Sequence, residues 1–122
     1  MKARFFASLL LLIATTAAHA DSDASLTWAL SEVSYGGTQA NYLALDINFG
    51  TRYIAINGII ELEGNTAVNV TGSCFPSGSG VFCNASIGNN TASLTISENL
   101  TGIFRMFSPD GSLSSQGAMA PL

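Results

Sequence analysis

The sequence predicts an all-β domain, more specifically a small antiparallel up-and-down β-barrel. Apolar and polar residues alternate with a period of two along most of the chain after residue 25, as in strands with one buried face. Clusters of Gly, Asn, Asp and Ser separate these runs every 8–12 residues or so, which is typical of sequential antiparallel strands. Residues 21–122 contain no convincing apolar period of about 3.6 residues, which a surface helix would show.

The start of the chain has the pattern of a secretory signal peptide. Lys2 precedes the short apolar run Phe5–Ala14, and Ala18–Ala20 has the small-x-small form of a cleavage site. We therefore divide the chain into a signal peptide, residues 1–20, and a single all-β domain, residues 21–122. The brevity of the signal indicates a bacterial protein that is periplasmic or secreted. No transmembrane segment is expected, because a spanning helix needs about 20 apolar residues in succession and no segment of this sequence approaches that length.

The strands follow in order from the alternation. Asp21–Ser25 is expected to be a loose lead-in, and a weaker last strand is expected over Ser112–Met119. The residues expected to face the core are, strand by strand, Leu26, Trp28 and Leu30; Leu43, Leu45, Ile47 and Phe49; Ile54, Ile56, Ile60 and Leu62; Val68, Val70 and Cys74; Val81, Cys83, Ala85 and Ile87; Leu94 and Ile96; and Leu100, Phe104 and Met106.

Turn-forming residues punctuate these segments. Turns are expected at Gly36-Gly37, Gly50, Asn57-Gly58, Gly64-Asn65, Ser77–Gly80, Gly88–Asn90 and Pro109–Gly111. Seven to nine short sequential strands can protect their edges by closing into a barrel or by forming a two-sheet sandwich. Uniformly short connections favour the barrel, because Greek-key sandwiches need a long crossover. The β-sandwich is the alternative.

The two cysteines are expected to form a hairpin disulfide. Cys74 and Cys83 lie on the apolar side of adjacent predicted strands and flank the predicted loop Phe75–Phe82. Thiols that reach an oxidising compartment pair, and closing this loop stabilises the fold. A redox role would favour a C-x-x-C spacing at a helix start, which is absent.

Signal cleavage removes the side chains that most catalysis needs. It discards His19 and Lys2, the only histidine and the only lysine, whereas a general base or an activated nucleophile usually depends on one of them. We therefore expect no enzyme activity, no catalytic residue, no cofactor and no metal. Arg52 and Arg105 remain as cationic side chains against eight acidic ones. This balance excludes nucleic acid as a partner.

Five residues form the candidate binding surface: Tyr53, Phe75, Phe82, Arg105 and Phe107. Exposed aromatic rings can stack on sugars or anchor a protein. Arg105 could hold a carboxylate or sulfate, although pairing with a neighbouring acid is the favoured interpretation.

We predict a monomeric, non-catalytic binding module for a small apolar ligand, a glycan or a protein. An interior ligand would require an apolar pocket of about 300 Å³ or more. The first alternative is an envelope assembly or inhibitor protein acting through an edge strand or loop. The second is a carboxylate-only hydrolase using Glu61 and Glu63, which are expected to share one strand face. A solvated strand face is the favoured interpretation of this pair. The ligand or envelope partner is not specified by the sequence.

Overall fold

The computed structural model describes residues 23–122, which form nine β-strands. The predicted signal peptide, Asp21 and Ser22 lie outside the described residues. The strands are β1 (Ala24–Ser31), β2 (Ser34–Tyr35), β3 (Thr38–Phe49), β4 (Ile54–Leu62), β5 (Thr66–Ser77), β6 (Gly80–Ile87), β7 (Asn90–Ile96), β8 (Gly102–Phe107) and β9 (Leu113–Pro121).

Eight of these strands close into an antiparallel barrel. From β3 to β9 each strand pairs with the next in sequence. Residues Ala24–Ala29 of β1 pair with β3, and Trp28–Ser31 pair with β9, which completes the ring. The short strand β2 pairs only with β3 and stays outside it. The predicted up-and-down barrel is therefore confirmed, and a two-sheet sandwich is not formed.

The barrel interior is filled with the apolar side chains that the alternation assigned to it. Trp28, Leu43, Ile60, Leu94 and Phe104 are at most 1% exposed. Each such side chain contributes about 1.5–3 kcal/mol relative to an exposed position, so this interior supplies most of the driving force for folding. The Cys74–Cys83 disulfide also lies inside, with a Cα–Cα distance of 4.0 Å. The disulfide prediction is confirmed, and such a bond fits an oxidising compartment.

The two ends of the barrel are covered differently. At the upper end lie the turns joining β3 to β4, β5 to β6 and β7 to β8. Here the Trp28 indole donates a 2.7 Å hydrogen bond to the Leu100 carbonyl oxygen, which ties the β7–β8 turn to the core. At the lower end Val33 is fully buried, and the Tyr35 hydroxyl occupies the space that a Cβ on Gly88 would need. At both ends, therefore, turn segments pack against the core.

One predicted turn is wrong, because Asn57 and Gly58 lie inside β4. The glycine serves a close approach between strands and does not reverse the chain. A Cβ on Gly58 would lie 1.9 Å from the backbone oxygen of Ala44 on β3, so a side chain there would push the two strands apart. Short-range turn propensity is overridden by the apolar alternation that continues through Ile60.

The hairpin that carries the disulfide is also longer than predicted. Most of the predicted loop Phe75–Phe82 is strand, because β5 continues to Ser77 and β6 begins at Gly80. Gly78 and Ser79 form the two-residue turn, and Gly78 has a positive φ of 58° that glycine tolerates best. Phe75 and Phe82 consequently form a cross-strand pair.

Three smaller predictions need correction. Asp23 is fixed to the barrel, since its backbone N–H donates to Ile47 and its carboxylate accepts from the Phe49 N–H. Leu100 lies in the β7–β8 turn with a positive φ of 72°, and β8 begins only at Gly102. Glu63 lies in the turn after β4, outside the strand that carries Glu61.

Within residues 23–122 there is no helix long and apolar enough to cross a membrane.

Candidate functional site

The barrel interior has very little open space. Across residues 23–122, the interior cavity lined by Trp28, Ile56 and the disulfide measures about 20 Å³. This is close to the space of a single water molecule, whereas small-molecule sites measure about 300–1,000 Å³. A small apolar ligand therefore has no room in this cavity, and a binding site has to be sought on the outer surface.

Four of the five candidate binding residues lie on one part of that outer surface, which we call the β5–β9 wall, whereas Tyr53 lies in the β3–β4 turn. It consists of the outward-facing side chains of five successive strands. These are Thr71, Ser73, Phe75, Phe82, Asn84, Ser86, Thr91, Ser93, Thr95, Ile103, Arg105, Phe107, Gln116 and Ala118.

Three of the candidates form an aromatic row near the upper end of the wall. Phe75 lies directly opposite Phe82 on the neighbouring strand, and such pairs have Cβ atoms about 4.5–5.5 Å apart. Tyr53 immediately precedes Ile54, whose partner is Cys74, so Tyr53 lies at the same end of the barrel as Phe75. Tyr53 is 50% exposed and Phe75 is 45% exposed, so this row presents ring surface to solvent.

The other two candidates lie lower on the wall, on β8. Arg105 and Phe107 share the outward face of this strand with Ile103, which is 40% exposed. Ile103 is opposite Thr95, and Thr95 is opposite Phe82, so the aromatic row continues onto β8 through these two residues. The structure thus brings all five candidates onto neighbouring surface but separates Arg105 and Phe107 from the aromatic row.

An open depression lies between the two groups. It measures about 460 Å³ and spans β5, β6 and β7, with Phe107 at its side. Its polar lining carries hydroxyl and amide groups and no charge; these groups belong to Thr71, Asn84, Ser86, Thr91 and Ser93.

The floor of this depression is strand backbone. Gly72 cannot carry a Cβ, which would lie 2.1 Å from the Asn84 backbone oxygen, and the methyl groups of Ala85 and Ala92 are buried in the barrel core. A second open depression of about 650 Å³ continues along β7–β9 toward the upper end, past Thr95, Ile103 and Ala118.

The polar lining was missed by sequence reasoning. Alternation does predict that Asn84, Ser86, Thr91 and Ser93 point away from the core. It does not predict that neighbouring strands bring them together, because that requires the strand register. Ile103 was missed for the same reason.

The disulfide supports the aromatic row from behind. Cys74 pairs with Cys83 on the inner face, and the next residue pair along the ladder is Phe75 with Phe82 on the outer face. A covalent bond between the strands prevents a register slip, which would move both rings to the opposite face. The crosslink therefore adds to the strand ladder in fixing the position of this aromatic pair.

The carboxylates do not assemble into a recognisable site within residues 23–122. Glu61 is on the outer face of β4, whereas Glu63 is in the following turn, so the two do not share a strand face as predicted. No group of three or more His, Cys, Asp or Glu side chains in this part of the chain is placed to hold a metal ion. Asp110 accepts hydrogen bonds from the backbone N–H and the hydroxyl of Ser112, and these lower the pKa of its carboxyl group.

Unpaired strand edges are short in the described part of the barrel. The strand β2 contains two residues and lies at the lower end. On β1, pairing with β9 begins only at Trp28, so Ala24–Thr27 has a strand neighbour on one side only, as do Thr66–Asn69 of β5 and Leu113–Gly117 of β9. An extended partner strand would therefore find only a few residues to pair with.

Comparisons with protein-family models, with curated proteins and with solved structures returned no match. The functional interpretation depends on the arrangement of the residues themselves.

Proposed function

We propose that this protein is an exported, non-catalytic binding module, periplasmic or secreted, that holds a glycan on the β5–β9 wall as a monomer. One observation carries the proposal. The wall combines an open depression lined by uncharged hydroxyl and amide groups with partly exposed aromatic rings at its borders.

The chemistry of this lining matches that of a sugar. Sugar hydroxyl groups donate and accept hydrogen bonds, and Ser, Thr and Asn side chains do both as well. The C–H faces of a sugar ring are apolar and can lie against Phe107 at the side of the depression. Because the surrounding strands are closed into a barrel, these groups are held in place before a ligand arrives, which lowers the entropic cost of binding.

A protein partner is the competing interpretation of the same wall. Exposed aromatic residues are common anchors of protein interfaces. However, such interfaces are depleted in Ser and enriched in aromatic residues, Met and Arg. Here the centre of the wall is Ser, Thr and Asn, with the large rings toward the borders, which favours the glycan.

The test is isothermal titration calorimetry of the mature protein against soluble polysaccharides, namely dextran, dextran sulfate, xylan, polygalacturonate and its methyl ester. We expect at least one polymer to bind, and Phe107→Ala to weaken its binding about tenfold, a change of about 1.4 kcal/mol. Tyr42→Ala is the matched control, because Tyr42 is 42% exposed but lies on β3, on another side of the barrel.

Each outcome decides the proposal. If no polymer of the panel binds, or if Phe107→Ala and Tyr42→Ala weaken binding equally, the wall is not the glycan site. A melting temperature of Phe107→Ala close to that of the wild-type protein shows that a loss of binding is local.

A further inference from the structure

The charges of this barrel are distributed unevenly. The five strands from β5 to β9 contain no acidic residue and only one charged residue, Arg105. The acidic residues on the remaining strands are Asp46 on β3 and Glu61 on β4. Glu98 and Asp110 lie in the turns at the two ends of β8. The wall is thus locally cationic on a chain that is acidic overall.

Arg105 is held in place by a neutral group. Its Nε–H donates a 3.0 Å hydrogen bond to the Gln116 side-chain oxygen. Its cross-strand neighbours, Ser93 and Gln116, are both uncharged. The pairing with a neighbouring acid that the sequence favoured is therefore not what the structure shows. A guanidinium has five N–H donors, so this arrangement uses one and leaves the two terminal nitrogens for a ligand.

The position of Arg105 on the wall is informative. On β8 it lies between Phe107, which borders one depression, and Ile103, which borders the other. Residues two apart on a strand are about 6.6–6.8 Å apart along it. A chain that occupies both depressions would pass beside Arg105, whose cross-strand partner Ser93 lines the first depression, and a sugar ring on Phe107 would bring its substituents within reach of the guanidinium.

From this arrangement we infer that the glycan is anionic, and that a carboxylate or sulfate ester of one of its sugars binds to the terminal nitrogens of Arg105. The inference rests on the proposed function and specifies its ligand class. A planar guanidinium matches the two oxygens of such a group by a bidentate contact. Gln116 fixes the orientation of the guanidinium before binding.

The experiment compares ligands that differ only in charge. Binding of polygalacturonate and of fully methyl-esterified polygalacturonate is measured by calorimetry, and dextran sulfate is compared with dextran. The buffer contains 0.15 M NaCl, at which charges farther apart than about 8 Å are largely screened. We expect at least a tenfold preference for one charged polymer over its neutral form, and the preferred pair distinguishes a carboxylate from a sulfate.

Variants of Arg105 test whether this residue causes the preference for the charged polymer. Arg105→Gln should reduce the ratio of the two affinities to about one. Arg105→Lys should give an intermediate ratio, because lysine keeps the charge but not the planar fork. Arg52→Gln is the control, since Arg52 is exposed in the β3–β4 turn and should leave the ratio unchanged.

Three results would overturn the inference. They are equal binding of charged and neutral polymers, a preference that survives Arg105→Gln, and binding of poly-L-glutamate as tight as that of polygalacturonate. The third would show that the wall recognises an acidic peptide. Equal binding of charged and neutral polymers leaves the proposed function intact, whereas an absence of binding to any polysaccharide refutes both.

Discussion

Breaking the disulfide between Cys74 and Cys83 should destabilise the barrel by an amount that its loop size sets. The two cysteines are nine residues apart in sequence. In the chain-entropy model, a crosslink closing a loop of this size removes about 8.6 cal/mol/K of entropy from the unfolded chain, or about 2.6 kcal/mol at 25 °C. For a domain of roughly 100 residues, such a loss lowers the melting temperature by about 10–20 °C.

The assay is thermal unfolding followed by circular dichroism, with and without a phosphine reductant. Reduction keeps both sulfur atoms, so its effect isolates the crosslink. The variant Cys74→Ala/Cys83→Ala should lose more stability than reduction does, because both side chains are buried and their truncation leaves space in the core. The reductant should have no effect on this double variant.

A melting temperature of the reduced protein within about 3 °C of the oxidised one would refute this reasoning. It would mean that residual structure in the reduced unfolded chain restricts the segment from Cys74 to Cys83 about as much as the covalent bond does.

Two further predictions concern the turns. Trp28→Phe should lower the free energy of unfolding by about 1–3 kcal/mol, because the Leu100 carbonyl loses its hydrogen-bond donor; an unchanged urea midpoint would show that water replaces the indole. The Asp110 carboxyl group should titrate below 3.8, because both hydrogen bonds from Ser112 favour its charged form. NMR titration of the side chain measures this, and Ser112→Ala should move the midpoint back toward 3.8.

The sign of the Asp110 effect follows from the lowered pKa. A carboxyl group with a lower pKa in the folded state stabilises the fold above its unfolded value of 3.8, and the contribution is lost as the pH falls through the folded value. A midpoint at or above 3.8 in the wild-type protein would contradict the hydrogen-bond geometry seen here.

Much of the fold could be predicted from the sequence, because burial imposes a period of two on every strand of a barrel with a filled interior. That period assigns Trp28, Ile60 and Phe104 to the core, and it places Cys74 and Cys83 on the same side of neighbouring strands. Short connections then favour closure in sequence order. These features depend on local pattern, so one chain is enough to detect them.

Features that depend on contacts between distant segments could not be predicted. Asn57-Gly58 has the composition of a turn, and only the proximity of the Ala44 backbone explains a glycine inside a strand. The strand β2 is too short to produce a periodic pattern. Its placement depends on paired hydrogen bonds between Ser34 and Ser115, which are far apart in sequence.

The candidate site shows the same division. Tyr53, Phe75, Phe82, Arg105 and Phe107 could be selected as polar-face or strand-end residues. Their arrangement depends on the register of β5 to β9. The register determines which of them form the aromatic row, which one borders the depression and where the single cation lies.

The pairing of the first barrel strand with the last makes completion of the molecule a late event. Contacts from β3 to β9 link neighbours in sequence and can form as the chain lengthens, whereas Trp28 meets Pro121 across most of the described chain. Closing so long a loop carries a larger entropic cost than closing a hairpin. Ring closure therefore waits until β9 has been synthesised, and a chain truncated before Leu113 would expose one complete side of β8 to other molecules.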